Sequence, residues 1–352
     1  MIRAPQAVST STGWPELPAW EEWSGTLYSL HRWSQVVGKL RMAASPPVSH
    51  WWHVPLYVTP RGLTTGSVPY QGRLFSIEFD LVDHRLRVID SNGGSFGLDL
   101  EPMSVADFYR RLMDGVRSIG IDLPVYTLPS EVADAIPFEL DTDLRPYDRT
   151  QAETLRLVLI QAHRVLGAFR ARFAGKVSPV HFFWGGFDLA VTRFSGRRAP
   201  LHKGGVPGVG DWVNQEAYSH EVSSAGWWVG DDVSPPNFYS YMYPEPDGYS
   251  SASVQPEAAE WSTRYGEFVL PYEAVWQAPD PDAMVDAFLT STYSAGADLA
   301  GWNRPAFESP LYPFVPPPHR AWSTGLEPML PPPMSPSPMK PEEMPPQTRR
   351  RR

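Results

Sequence analysis

Two segments of the sequence share one pattern, and this internal similarity constrains the fold more than any other feature. Residues 50–59 are HWWHVPLYVT, and residues 181–192 are HFFWGGFDLAVT. Each segment begins with His, continues with three bulky or ring-bearing residues and ends in a strand-like run that closes on Thr. The second copy is two residues longer. A repeated pattern of this kind predicts a duplicated structural unit.

The segments around the two copies predict the same order of elements. Apolar residues at steps of three and four predict an amphipathic helix before each copy, over 29–44 and 150–173. Alternation and turn signals predict strands after each copy, over 75–81, 86–89, 96–100, 221–229, 238–243 and 267–270. Local signals set the ends of elements: a Thr150-x-x-Glu153 capping box, an Asn92-Gly93 hairpin turn, a Ser104 cap before the helix that Gly120 ends, and an Asp280-Pro281 helix start.

This order predicts an α+β fold made of two similar halves, each a helix, an antiparallel sheet and a helix. The first half spans 12–120, a linker spans 121–148, and the second half spans 149–303. Residues 304–352 form a proline-rich tail that we expect to be disordered, because proline cannot donate backbone hydrogen bonds.

Composition excludes several function classes. The chain of 352 residues has no Cys, which excludes disulfide scaffolds, thiolate metal sites and cysteine nucleophiles. A net charge of −9 argues against a dedicated nucleic-acid binder. Neither a secretory signal nor a long apolar run is visible, so we expect a cytoplasmic protein without a membrane span. No sequence pattern calls for a cofactor.

Clustered arginines are the sharpest candidate for ligand binding. Arg193, Arg197 and Arg198 lie close together in the second half, and Arg61 lies at the comparable end of the first copy. Convergent arginines bind carboxylate or phosphate groups through paired hydrogen bonds. The alternative is an exposed loop whose arginines pair with the acidic body of the chain.

Histidines provide the candidates for acid–base chemistry. His220 and Glu221 are adjacent, and neighbours in a strand point to opposite faces, so a catalytic pair would have to form across strands, for example His220 with His181 or Asp188. A strand histidine with a structural hydrogen bond is the alternative. The nine His residues include no tight helical pair, so no metal site is predicted.

The aromatic residues are numerous enough to form a pocket wall. Trp184 and Tyr241 are the candidates for that wall, while the adjacent pairs Trp51-Trp52 and Trp227-Trp228 place one ring on each face of a sheet. A core packed on both sides of the sheet explains the same residues equally well.

Four long motifs carry a resemblance to a known family. They are WPELP at 14–18, HWWHVPLYVT at 50–59, SPVHFFWG at 178–185 and SHEVSSAG at 219–226. With these motifs the chain resembles a bacterial family of uncharacterised proteins, a domain of unknown function, over roughly 12–303. The resemblance implies no activity and assigns no catalytic residue.

Two functions of different classes remain open. In the first, a cleft between the halves binds a small anionic or aromatic ligand held by the arginines, and His220 or His181 is the general base if the protein is an enzyme. In the second, exposed Trp faces and the proline-rich tail bind a partner protein.

Overall fold

Two antiparallel sheets form the framework of the protein. A computed structural model describes residues 13–308, so most of the predicted tail lies outside the described residues. The helices of this range are α1 (Trp20–Ala44), α2 (Val105–Ser118), α3 (Arg149–Ala171), α4 (Asp211–Ala217), α5 (Tyr272–Trp276), α6 (Pro281–Leu299) and α7 (Arg304–Phe307). The strands are β1 (Tyr57–Thr59), β2 (Gly62–Thr64), β3 (Val68–Tyr70), β4 (Arg73–Asp80), β5 (Arg85–Asp90), β6 (Ser95–Asp99), β7 (His181–Phe183), β8 (Asp188–Arg198), β9 (His220–Trp228), β10 (Asn237–Tyr243), β11 (Glu260–Ser262) and β12 (Glu267–Pro271). The predicted α+β class is confirmed.

The first sheet has the strand order β1-β2-β4-β5-β6, and β3 pairs with β4. Strand β4 alternates as its sequence predicts, with buried Phe75, Ile77 and Phe79 on the face that α1 and α2 cover. Trp33 of α1 stacks on Phe108 of α2 with ring centroids 5.0 Å apart. Burial of these large rings stabilises this half, because removing apolar surface from water contributes roughly 25 cal/mol per Å².

The second sheet has the order β11-β12-β10-β9-β8-β7 and holds its two faces in different environments. Its inner face packs on α3 and α6 with apolar residues such as Leu189, Trp227 and Phe238. Its outer face carries Asp188 and a row of tyrosines on β10 instead. A buried sheet face with polar side chains needs hydrogen-bond partners, which makes the outer face the natural place to look for a site.

A single antiparallel bridge joins the two repeated motifs. The backbone of Leu56 and the backbone of Phe182 exchange two hydrogen bonds of 2.9 Å. The indole of Trp184 also donates to the Val54 carbonyl at 2.9 Å. The copies nevertheless differ locally, because His181 begins a strand whereas residues Ser49–Trp51 form one 3₁₀ turn. The duplication and its domain boundaries stay predictions.

Helix starts agree with the sequence at α2 and α6 but differ from it at α1 and α3. The Ser104 hydroxyl accepts from the Asp107 N–H at 3.0 Å, and the Asp280 carboxylate accepts from the Ala283 N–H at 3.0 Å, as predicted. The predicted Thr150 cap is wrong. Asp148 caps α3 by accepting from the backbone of residues 150 and 151, so the helix begins at residue 149 and Thr150 lies inside it. Helix α1 begins at Trp20, nine residues before the predicted start.

Among residues 13–308, no helix combines the length with the apolar character that a membrane crossing requires.

Candidate functional site

A polar stripe runs along helix α1, about half of which is buried. His31, Gln35 and Lys39 follow one another at steps of four residues, so they share one face of the helix. Gln35 and Lys39 are buried, and burying polar groups in a helix costs free energy unless they find partners. The stripe therefore marks a place where the helix does more than fill the core.

The stripe fixes two loops that are far apart in sequence. Gln35 clamps the backbone of Ser130, accepting from its N–H at 2.7 Å and donating to its carbonyl at 2.9 Å. The Lys39 ammonium donates to the Ser130 hydroxyl at 3.3 Å. The His31 Nε2–H donates to the Gly185 carbonyl at 2.8 Å. One helix thus sets residues 130–131 beside the turn that enters β8.

The carboxylate of Glu131 lies directly against that turn. A Cβ atom on Gly185 would stand 2.1 Å from Glu131 Oε1, so a larger residue there would displace this carboxylate. A Cβ on Gly186 would stand 2.9 Å from Asp188 Oδ1 and 3.5 Å from Glu131 Oε2. The two carboxylates are therefore at most 6.4 Å apart, the sum of those two distances. Glu131 also has φ of +61°, a left-handed conformation that a non-glycine residue adopts at a cost.

Tyrosines of the outer sheet face complete the surroundings of the two carboxylates. The Tyr239 hydroxyl donates to Asp188, and the rings of Tyr239 and Tyr241 stack with centroids 6.2 Å apart. The hydroxyls of Tyr218 and Tyr241 lie 2.8 Å apart. A Cβ on Gly226 would stand 2.4 Å from the Tyr239 hydroxyl oxygen, so this glycine lets the tyrosine cross β9.

We define the acidic recess by the carboxyls of Glu131, Asp188 and Glu267 and by the rings of Tyr218, Tyr239 and Tyr241. Small residues form its floor on β8 and β9, where Ala190 lies opposite Gly226 and Thr192 lies opposite Ser224. Glu131 is exposed, whereas Asp188 and Glu267 are half-buried. An accessible side chain in desolvating surroundings is what a recess open to solvent produces.

All three carboxyls of the acidic recess are shifted toward the neutral form. Desolvation, reinforced by the charge of Asp188, raises the pKa of Glu131 to about 7 and that of Glu267 to about 8. Desolvation raises the pKa of Asp188 to about 6, against the opposing hydrogen bond from Tyr239. No cationic side chain contributes to any of the three shifts.

The structure does not bring the four predicted arginines together. The guanidinium of Arg193 lies 3.4 Å from the centroid of the Phe169 ring, on the inner, helix-covered face of the sheet. Arg197 pairs with Glu221 at 2.7 Å and donates to the end of α6. Arg198 is exposed. Arg61 pairs with carboxylates of the first sheet, at 2.7 Å and 2.8 Å.

The predicted acid–base candidates lie apart from one another. His181 is 1% exposed, and within residues 13–308 neither ring nitrogen has a hydrogen-bond partner. Burial, with a smaller effect of Arg41, lowers its pKa to about 3, so the ring is neutral. His220 lies beside His50, with ring centroids 5.6 Å apart. Glu221 accepts from the Ser195 hydroxyl at 2.8 Å and from Arg197.

The two predicted wall residues have different surroundings. Tyr241 belongs to the acidic recess. Trp184 packs against α1, where a Cβ on Gly38 would stand 2.2 Å from its indole nitrogen, and its ring lies 5.6 Å from the Lys39 ammonium. Trp184 is therefore next to the polar stripe rather than opposite Tyr241.

Comparison with known proteins gives a family without an activity. A family of unknown function, DUF5996, matches residues 14–309. The chain belongs to this family. No curated protein and no solved structure matches the DUF5996 chain, so its chemistry rests on its own residues.

Sequence reasoning missed the polar stripe, Glu131 and Glu267 in this DUF5996 chain, and it named Asp188 only as a cross-strand partner for His220. The stripe had one signal in the sequence, the recurrence of His31, Gln35 and Lys39 at regular steps of four. Glu131, Asp188 and Glu267 had none, because they are separated by 57 and 79 positions and only the folded sheet brings them together. Within residues 13–308, no group of three or more His, Asp or Glu side chains has the geometry to hold a metal ion.

Proposed function

We propose that this chain binds a small organic cation, an amine attached to an aromatic or apolar group, in the acidic recess. The observation that carries the proposal is the pair of carboxylates of Glu131 and Asp188, which lie at most 6.4 Å apart and receive, among residues 13–308, only the Tyr239 hydroxyl from another side chain. Half-buried carboxylates such as those of Asp188 and Glu267 are costly unless a positive charge or hydrogen-bond donors accompany them. A ligand that supplies both would satisfy the recess.

The hydrogen-bond inventory of the acidic recess supports an amine in particular. Within residues 13–308, no side chain donates to the carboxylate of Glu131, while Asp188 receives only the Tyr239 hydroxyl from another side chain. An ammonium group offers three donors, and two carboxylates at most 6.4 Å apart can share them. The faces of Tyr239 and Tyr241 favour a cation by about 0.5–2 kcal/mol.

The sign of the charge distinguishes this ligand from the one that the arginine cluster suggested. Arg61, Arg193 and Arg197 are engaged with carboxylates, carbonyl groups or aromatic rings of the chain itself. The acidic recess attracts cations and repels anions. We therefore assign the ligand a positive charge and keep the aromatic character that the sequence predicts.

Titration calorimetry with benzylamine as the probe and benzoate as its anionic counterpart tests the proposal. We expect one equivalent of benzylamine to bind, with an affinity at least about tenfold weaker in Glu131→Gln and Asp188→Asn, because each variant removes a charge partner. Glu257→Gln, a substitution of an exposed carboxylate away from the recess, is the matched control. Equal binding of benzoate, or an unchanged affinity in Glu131→Gln, would contradict the proposal.

A second candidate function rests on an exposed aromatic pair. Trp212 on α4 is 64% exposed and packs on Trp51 with ring centroids 5.2 Å apart. Tryptophan is enriched where proteins bind one another, so this pair supports a surface for a partner protein. A photo-crosslinking residue at position 212 should then give a discrete protein adduct, and the same residue at position 257 should give none. The predicted contribution of the tail concerns residues outside the described range.

A further inference from the structure

Lys39 is a buried lysine whose ammonium has, among residues 13–308, a serine as its one hydrogen-bond partner. Its side chain is 2% exposed, and its ammonium contacts the Ser130 hydroxyl at 3.3 Å and the faces of Tyr126 and Trp184 at 5.3 Å and 5.6 Å. Within residues 13–308, it forms no ion pair with a carboxylate. An ammonium desolvated in this way releases its proton more readily than one in water. Lys39 is thus suited to accept a proton from its neighbour.

Ser130 is held in place more firmly than its position in a loop suggests. Both its N–H and its carbonyl bond to the buried amide of Gln35, one helical turn from Lys39. The following residue, Glu131, has a left-handed backbone and donates its N–H to the Pro207 carbonyl at 2.7 Å. Ser130 keeps part of its surface accessible. A fixed, reachable hydroxyl beside a buried amine is the arrangement that nucleophilic catalysis requires.

From this juxtaposition we infer that Ser130 is a nucleophile for acyl transfer and that Lys39 is its general base. The substrate class is an ester or amide whose cationic amine is held by Glu131 and Asp188, and this part of the inference rests on the proposed function. Ser130 and Glu131 are neighbours in the chain, with Cα atoms about 3.8 Å apart.

The reaction consists of two acyl transfers. Ser130 Oγ attacks the acyl carbon and forms an ester bond, while its proton moves to Lys39 Nζ. The bond from the acyl carbon to the leaving oxygen or nitrogen breaks, and Lys39 gives its proton to that leaving group. Water then attacks the acyl-serine and loses a proton to Lys39, which returns it to Ser130 Oγ. The products are a carboxylic acid and an alcohol or amine.

The pH dependence of the nucleophile follows from the surroundings of Lys39. Desolvation by burial lowers the pKa of Lys39 to about 8. The neutral amine that acts as the base is therefore the minor form below that pH and the major form above it. We expect the rate at which Ser130 reacts to rise with pH and to level off above about pH 8.

A fluorophosphonate probe tests the inference without any knowledge of the substrate. We expect intact-mass and peptide mapping of the full chain to show one adduct, on Ser130, and Ser130→Ala to show none. Lys39→Arg keeps the charge but cannot accept a proton at neutral pH, so its labelling should be at least about 100-fold slower. If the larger guanidinium of Lys39→Arg prevents the chain from folding, Lys39→Met is the second variant for the same measurement. Ser253→Ala, a change of an exposed serine, is the matched control.

The outcomes separate this inference from the proposed function. Labelling of Ser130 in wild-type protein that does not bind benzylamine would support the nucleophile and contradict only the proposed function. An unlabelled Ser130 in wild-type protein that unfolds cooperatively on heating would overturn the inference and leave the amine site standing. A Lys39→Arg variant that reacts as fast as the wild type would remove Lys39 from the mechanism and overturn the inference in its stated form.

Discussion

Replacing Glu267 by Gln measures the cost of negative charge in the acidic recess. Desolvation and the charge of Asp188 raise the pKa of Glu267 from an ordinary 4.5 to about 8. Between these values the folded chain holds the proton and the unfolded chain releases it. The favourable contribution of the neutral carboxyl is therefore fully present below about pH 4.5, and it is lost as the pH rises through about 8.

Glu267→Gln should become more stable than the wild type as the pH rises, since the amide never ionises. The interval from 4.5 to about 8, at about 1.4 kcal/mol for each pH unit, sets an upper limit of about 5 kcal/mol. Partial accessibility of the side chain allows water to screen the charge, which reduces the expected gain to about 2 kcal/mol.

Urea unfolding of both proteins at about pH 5, 7 and 8.5 gives the difference in the free energy of unfolding. Subtracting the wild-type free energy of unfolding from that of the variant cancels the titration of groups that both proteins share. One such group is His31, whose pKa burial lowers to about 3. The exposed-site variant Glu257→Gln should give a difference that is independent of pH. A Glu267→Gln difference that stays constant within about 0.5 kcal/mol over this range would refute the desolvated, uncompensated carboxyl on which the site depends.

Three further predictions follow from the same contacts. Benzylamine affinity should fall as the pH drops below about 6, because Glu131 and Asp188, with pKa values of about 7 and about 6, then lose the charge that binds the cation; calorimetry across pH checks this. Gly185→Ala should weaken benzylamine binding about tenfold, because its Cβ would stand 2.1 Å from Glu131 Oε1. The control Gly167→Ala, whose Cβ would lie in open space on α3, should leave benzylamine binding unchanged and raise the free energy of unfolding by about 1 kcal/mol. Asp148→Ala should cost about 1 kcal/mol of stability in thermal unfolding; Thr150→Ala should cost less.

Elements whose residues alternate or repeat locally were predictable from the sequence. The predicted strand over 75–81 is β4, the predicted strand over 238–243 is β10, and the Asp280-Pro281 signal marks the start of α6. In each case the pattern that identifies the element is also the pattern that buries one of its faces. Local physics and the final packing agree, so the sequence alone suffices.

The conformation of residues 50–53 was not predictable in the same way. The aromatic run predicts a strand, yet His50 and Trp51 have φ of +61° and +60°. The His50 N–H donates to Glu216 at 2.8 Å, and its ring donates to the Ala217 carbonyl at 2.8 Å. Hydrogen-bond partners about 166 positions away override the local preference for a strand, and no pattern within residues 50–53 predicts these partners.

The candidate site was missed for a related physical reason. Clusters of like charge are unfavourable, so sequence reasoning looks for groups of opposite or complementary charge close together in the chain. The arginines near position 195 meet that expectation, but the chain engages three of the four predicted arginines with its own groups. The acidic recess instead contains like charges from a loop and two strands. These residues are far apart in the sequence, and only the fold brings them to one site.

A site of this kind makes the unliganded chain less stable than its packing alone would make it. Desolvated carboxyls and the left-handed backbone of Glu131 both cost free energy that a bound cation partly offsets. Binding to the folded state alone should therefore raise the unfolding free energy by about 2.7 kcal/mol at a benzylamine concentration 100 times its Kd. Thermal unfolding should show this shift in the wild type and a much smaller one in Glu131→Gln at the same concentration. Equal shifts in both proteins would mean that the amine stabilises the chain from some other surface.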